Sequence, residues 1–434
     1  MPKAAKTRTS KKGATSFLHI EETFHFAGGG KLPRADIAFE TWGELNADRS
    51  NGVLIMTGLS PSAHAASSEE DPSDGWWEPM IGPGKPIDTD RNFVVCVNSL
   101  GSCKGSTGPA SINPKTGEQY RLSFPDLSIQ DIAAAGGRVL DALGIERLRV
   151  LIGASMGGMS ALALMRQRPS IARHFLAIST AINAEPFAIA VRSLQREMIV
   201  RDPHWKDGAY TDDDWPETGM RLARKLGMIS YRSEPEWRQR FGRGREVHFA
   251  ERLFGMHFSV ESYLEAAAKK FIRNFDPCCY LFLSQAIDWF DLSDGYAGMK
   301  DAFSELKIES AKVIGVTTDF LWPSHQQQEI VDCFAAAGVA SELQMLECIQ
   351  GHDSFRSQQA GSYGLYLGII ALAGAIIGAQ LAVEIPGDLF NRILSVVMLV
   401  VGILILVNPS LASGKDERLS GTYRILGFVA FFFV

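Results

Sequence analysis

The stretch Leu148-Arg149-Val150-Leu151-Ile152-Gly153-Ala154-Ser155-Met156-Gly157-Gly158-Met159 limits the fold of this chain more than any other. Its apolar run, Leu148 to Ile152, reads as a buried parallel strand. G-x-S-x-G follows, and then Met159 to Arg166, rich in helix formers. Strand, sharp turn and helix are the setting that a nucleophile elbow requires. Gly153 and Gly157 are needed because a side chain at either would collide with the neighbouring strand or helix. The turn lifts the Ser155 hydroxyl above the sheet edge, at the start of a helix whose dipole favours a developing anion. The competing reading is a Gly-rich turn with an incidental serine, so the partners of Ser155 decide.

Two partners stand downstream. Ala311 to Thr317 reads as a strand ending at Thr317-Thr318-Asp319, and Ser341 to Ile349 as the last strand, ending before Gly351-His352-Asp353. Both lie at the carboxyl ends of strands, where open α/β sheets place their sites. A serine hydroxyl is a poor nucleophile until a base takes its proton. His352 suits that task near neutral pH, and Asp319 would fix its tautomer and stabilise its cation. Singly, Asp319 also reads as a helix N-cap and His352 as a surface-loop histidine. In the order Ser155, Asp319, His352 they form the triad pattern of α/β hydrolases.

Earlier segments fit the same α/β plan. Phe17 to Trp42 is strand-like with a Gly28-Gly29-Gly30 turn, and Gly52 to Thr57 is a short apolar strand. It runs into Gly58-Leu59-Ser60-Pro61, the place for a second oxyanion donor. The backbone N–H groups of Leu59 and Met156 are the candidates. Phe93 to Asn98 reads as another buried strand, and Ile129 to Leu143 as an amphipathic helix closing at Gly144. The alternation stops between Pro186 and about Gly298, where a mostly helical insertion reads as a cap over the sheet. At 434 residues the chain exceeds one ordinary domain. Its net charge of −6 argues against nucleic acid as a partner. The six cysteines lack metal-ligand spacing and read as reduced thiols of a cytoplasmic protein, and no metal is expected. Residues 1–16, with five basic groups and no acid, read as a disordered leader.

Several stretches together resemble the homoserine O-acyltransferase family of α/β-hydrolase-fold enzymes. They include Gly75-Trp76-Trp77, Asn98-Ser99-Leu100-Gly101, Gly105-Ser106-Thr107-Gly108-Pro109, Ser155-Met156-Gly157-Gly158-Met159, Glu261-Ser262-Tyr263-Leu264 and Gly351-His352-Asp353. The resemblance covers about Phe17 to Phe355. It implies acyl transfer from acyl-CoA to the side-chain hydroxyl of a small amino acid, through an acyl-serine, with no cofactor beyond the acyl-CoA co-substrate. It implies that Arg196 grips the amino acid's carboxylate and that Asp353 holds its ammonium. Gly58-Leu59-Ser60-Pro61, Ala154 and Ser193-Leu194-Gln195-Arg196-Glu197 look like the serine O-succinyltransferase branch, which feeds cysteine synthesis; the first four are expected to set substrate specificity. Arg192, one turn before Arg196, is the candidate to pair with a succinyl carboxylate and so set acyl-CoA specificity. A solvated arginine is the other reading. A homoserine O-acetyltransferase of methionine synthesis, using acetyl-CoA and L-homoserine, is the alternative within the family, and an esterase the alternative on the fold. A third reading is a membrane-tethered binding module with an idle triad. A homodimer is the expected assembly.

After Phe355 the resemblance ends. The domain expected at 17–358 gives way to 362–434, where Tyr363 to Val383 is apolar, uncharged and long enough to span a bilayer. Ile393 to Val407 and Tyr423 to Val434 are further apolar runs. The tail resembles part of a sulfite-exporter type of permease. Lys415, Arg418 and Arg424 against Arg392 alone would leave the catalytic domain in the cytoplasm, with the tail in the inner membrane. A membrane anchor and a gene fusion joined near Arg356 are the two readings.

Overall fold

The computed structural model describes residues 7–246 and 255–356. The tail and its expected transmembrane helices lie outside the described residues. Among the described residues no helix is long and apolar enough to cross a membrane.

Nine strands form one sheet among the described residues. They are β1 (Thr7–Lys12), β2 (Thr15–Ile20), β3 (Ala35–Trp42), β4 (Gly52–Met56), β5 (Phe93–Val97), β6 (Leu148–Ala154), β7 (Ala172–Ile178), β8 (Ser310–Val316) and β9 (Ala340–Leu346). Their spatial order is β1-β2-β3-β5-β4-β6-β7-β8-β9. β1, β2, β3 and β5 pair antiparallel in turn, and every pairing from β5 to β9 is parallel. Helices α1 (Ile129–Leu143) and α2 (Met156–Gln167) pack on the sheet, as does α9 (Ser324–Ala336). Coverage on both faces explains why β6 and β7 read as nearly unbroken apolar runs rather than alternating ones. Burying one such side chain, Leu151 or Phe175 for example, contributes about 1.5–3 kcal/mol.

Helix α1 starts at a capping box between Ser128 and Asp131 and stops at Gly144, whose φ of 67° is left-handed. Between β7 and β8 the chain leaves the sheet to build the cap: α3 (Pro186–Val200), α4 (Glu217–Tyr231), α5 (Glu234–Phe241), α6 (Ser259–Phe271) and α7 (Pro277–Asp288), followed by the short α8 (Met299–Ser304).

The basic leader needs a correction. Residues 7–12 are a strand, paired from Thr7 opposite Ile20 to Lys12 opposite Thr15 across a turn at Gly13. Thr7, Thr9 and Ser10 tolerate extended backbone, and β2 would otherwise offer an unpaired edge. The lysines then guard the new edge, and Lys11 reaches Glu70 at 2.6 Å.

Candidate active site

Ser155 ends β6 at φ 55°, ψ −127°, a backbone conformation that costs a non-glycine residue strain. Two close approaches hold it there. A Cβ on Gly157 would sit 2.0 Å from the Met56 carbonyl oxygen, and one on Gly153 would sit 2.4 Å from the Gly157 carbonyl oxygen. The Thr180 hydroxyl donates to the Ser155 carbonyl at 2.7 Å. The strand-to-helix turn is therefore built as the pentapeptide predicts, with glycine where backbone meets backbone.

The three ordered partners converge. His352 Nε2 lies 3.0 Å from Ser155 Oγ, and His352 Nδ1 lies 2.8 Å from Asp319 Oδ2. The His352 side chain is 6% exposed and that of Asp319 is fully buried. A carboxylate beside Nδ1 requires the proton on that nitrogen, so the Nε2 lone pair faces the serine hydroxyl. The other oxygen of Asp319 accepts the backbone N–H groups of Leu321 and Trp322, both at 3.0 Å. The loops carrying Asp319 and His352 are tied together. The Thr318 hydroxyl donates to the Cys348 carbonyl at 2.5 Å and accepts the Gly351 N–H at 3.2 Å. Asp319 is thus no helix cap; α9 begins five residues later, behind Pro323.

The Leu59 and Met156 backbone N–H groups make no hydrogen bond among the described residues. Met156 opens α2, where the first-turn donors lack helical partners. The loop that carries Leu59 is held from beneath: the Thr57 hydroxyl donates to the Val97 carbonyl at 3.0 Å, and the Asn98 amide to the Pro61 carbonyl at 3.2 Å. Gly58, Leu59, Ser60 and Pro61 all line the cavity in front of Ser155. Trp76 closes one side, its indole N–H on the Ser62 carbonyl at 3.0 Å.

The arginines depart from expectation. Arg192 lines the cavity and is not a solvated arginine: it is 6% exposed, and its Nε donates to Asp288 Oδ1 at 2.5 Å. One guanidinium nitrogen, Nη2, is buried with no partner, and Cζ lies 5.1 Å from the Trp322 ring centroid. Arg196 does not line the cavity. Its Nη1 lies 2.6 Å from Asp288 Oδ2 and 2.9 Å from the Ser284 hydroxyl. Asp288, at the end of α7, draws both arginines of α3 onto one buried carboxylate. Helix periodicity alone carries no trace of a partner nearly a hundred residues away, and the Arg196 role rested on the resemblance. A second cation lines the cavity, Arg224 of α4, which sequence reasoning missed. It lies over the Phe271 ring at 4.4 Å, and among the described residues it makes no ion pair or hydrogen bond. Asp353 lines the same cavity, as expected, and has no ion-pair or hydrogen-bond partner among the described residues.

Chemically, the cavity combines an activatable hydroxyl, a base with a fixed tautomer, two N–H donors beside it and an unpaired acid and base across from it. Among the described residues no group of three or more His, Cys, Asp or Glu side chains is placed to hold a metal.

Known proteins are similar to this chain in sequence and in fold. A family profile described as the alpha/beta hydrolase fold matches residues 64–328. A serine O-succinyltransferase of Xanthomonas campestris pv. campestris (strain B100) is 55% identical over 355 residues, spanning 79% of this chain and 93% of that protein. One from Stenotrophomonas maltophilia (strain K279a) is 54% identical over 344 residues, with the same coverage. Among solved structures, a homoserine O-acetyltransferase from Bacillus anthracis superposes with a TM-score of 0.75 at 27% identity, covering 82% of this chain and 97% of that one. Esterase E22 superposes at 0.73 and 27% identity, covering 84% of this chain and all of the other. With more than half its aligned residues in common with the serine O-succinyltransferases, across 93% of their length, the chain belongs to the serine O-succinyltransferase family of α/β-hydrolase-fold acyltransferases.

Proposed function

We propose that the protein transfers the succinyl group of succinyl-CoA to the hydroxyl of L-serine. Ser155 Oγ attacks the thioester carbonyl while His352 Nε2 takes its proton, and Asp319 stabilises the imidazolium. The oxyanion is received by the N–H groups of Met156 and Leu59. The C–S bond breaks, His352 returns the proton to the departing thiolate, and CoA leaves a succinyl ester on Ser155. The acceptor hydroxyl then gives its proton to His352 and attacks that ester, and Ser155 recovers its proton as O-succinylserine departs.

One observation carries the reading: Arg224 and Asp353, opposite charges with no ion-pair or hydrogen-bond partner among the described residues, line the same cavity as the nucleophile. A simple ester offers neither charge a counterpart, whereas a free amino acid offers both, its carboxylate to Arg224 and its ammonium to Asp353. Arg192 supports a donor with its own carboxylate. Two arginines share Asp288, which leaves one positive charge uncompensated at the cavity wall, where an unpaired succinyl carboxylate would otherwise be costly. Arg196 holds Asp288 in place rather than touching the acceptor.

A donor-by-acceptor matrix of succinyl-CoA and acetyl-CoA against L-serine and L-homoserine tests this. O-Succinylserine is expected as the dominant product. Faster formation of O-acetylhomoserine would replace the assignment with homoserine acetylation, and release of free acid in place of any acyl-amino acid would make the protein an esterase.

A further inference from the structure

Donors that line the cavity sort into those already committed inside the protein and those left for a ligand. The indole N–H of Trp76 is committed to the Ser62 carbonyl. The Ser230 hydroxyl is committed to the Gly227 carbonyl at 2.9 Å, and the Gln195 amide to the Ala223 carbonyl at 2.9 Å. Tyr280 is not committed. It lines the cavity and is 4% exposed, and no group among the described residues hydrogen-bonds its hydroxyl. The Tyr120 hydroxyl, by contrast, is orphaned in the core, whereas Tyr280 is one of the residues that line the cavity. The ring is held edge-on to Phe275, centroids 6.5 Å apart at 87°.

Helix register says which end of the cavity this is. Arg192 meets Asp288 and Arg196 meets Ser284, so α3 and α7 run antiparallel. Tyr280 lies one turn before Ser284 on the same face of α7, and so beside the part of α3 that carries Arg196. α4 joins α3 there, through Gln195 and Ala223, and brings Arg224. Burial keeps the Tyr280 phenol well above its ordinary pKa range; Tyr231 adds to this, and Arg224, Arg192 and Arg196 oppose it in that order. The group therefore stays a donor at every working pH.

We propose that Tyr280 is a substrate-binding residue, its hydroxyl donating to the α-carboxylate of the amino acid acceptor beside the Arg224 fork. A carboxylate accepts about four hydrogen bonds, of which a bidentate arginine fills two. The proposal rests on the amino-acid acceptor reading and extends it to a neutral donor that sets specificity for a carboxylate-bearing acceptor.

The test is Tyr280→Phe in the full chain, with L-serine compared against ethanolamine, which is serine without its carboxylate. The variant keeps the ring and its packing. The acceptor KM for serine should rise about tenfold or more, the usual worth of a hydrogen bond to a charged group. Formation of succinyl-Ser155 from donor alone should be unchanged, and ethanolamine turnover should be unchanged too. Equal damage to serine and ethanolamine, slowed donor acylation, or an unchanged serine KM each overturns the proposal. If the parent instead prefers homoserine, that assignment fails on its own. The same comparison, homoserine against 3-aminopropanol, then decides Tyr280. A parent that acylates no amino acid overturns both.

Discussion

Asp319→Asn is an isosteric change whose outcome follows from the groups that already hold the carboxylate. Oδ1 accepts two backbone N–H groups, from Leu321 and Trp322, and Oδ2 accepts the proton on His352 Nδ1. An asparagine has one acceptor oxygen and one donor nitrogen. Turning the NH₂ toward the backbone would leave two buried N–H donors without acceptors, at about 1–3 kcal/mol each. The oxygen therefore stays with the backbone and the NH₂ faces His352. Nδ1 must then accept, the imidazole proton moves to Nε2, and Nε2 points a hydrogen at Ser155 Oγ, 3.0 Å away, where a lone pair is needed. Triads with this fault lose on the order of 10⁴ in kcat. That corresponds to about 5.4 kcal/mol of transition-state stabilisation, at 1.36 kcal/mol per factor of ten. The assay is stopped-flow release of CoA from succinyl-CoA, with thermal unfolding of parent and variant alongside. The expected result is an intact fold with both half-reactions slowed by that factor. A loss of only a few-fold in a folded variant would refute the reasoning, because another group would then be orienting His352.

Three further outcomes follow from the same geometry. Arg224→Ala should raise the acceptor KM by roughly 10- to 150-fold while donor acylation stays near normal, measured by varying serine at saturating donor; equal damage to both half-reactions would make Arg224 structural. Arg192→Ala should reduce kcat/KM for succinyl-CoA far more than for acetyl-CoA, and the fold should survive because Arg196 still pairs with Asp288; a parallel fall for both donors would remove Arg192 from donor choice. Burial works against the Glu78 carboxylate, but the N–H groups of Ser67 and Gly75, the Lys85 ammonium and the Ser67 hydroxyl bring its pKa down to about 2. A depressed carboxyl pKa gives stability that is present above the unfolded value and lost as pH falls through the folded one. Glu78→Gln should therefore unfold at lower urea than the parent at about pH 6 and converge with it near pH 2; parallel profiles over that window would exclude the effect.

What could be read from the sequence was local or strictly ordered. Gly153, Ser155 and Gly157 announce a turn because only glycine tolerates the backbone contacts there, and Asp319 stands at the end of a strand that its apolar residues mark plainly. What could not be read was long-range pairing between polar helices. Arg196 and Arg192 sit on one face of α3 as their spacing says, but the carboxylate that claims them, Asp288, lies on α7. Arg224 has no motif around it. Its only signal is a helix whose inward residues, Ala223, Gly227 and Ser230, are small enough to leave room beside a cation. The leader was misread because charge outweighed the β-tolerant threonines between the lysines, and because strand pairing depends on an available edge.

The central claim, a succinyl ester on Ser155, is tested most directly by mass spectrometry of denatured protein after brief exposure to succinyl-CoA without acceptor. One succinyl group is expected, located on Ser155 by peptide mapping, absent from Ser155→Ala and discharged on adding L-serine. A succinyl group on another residue, or undiminished transfer by Ser155→Ala, would contradict the account.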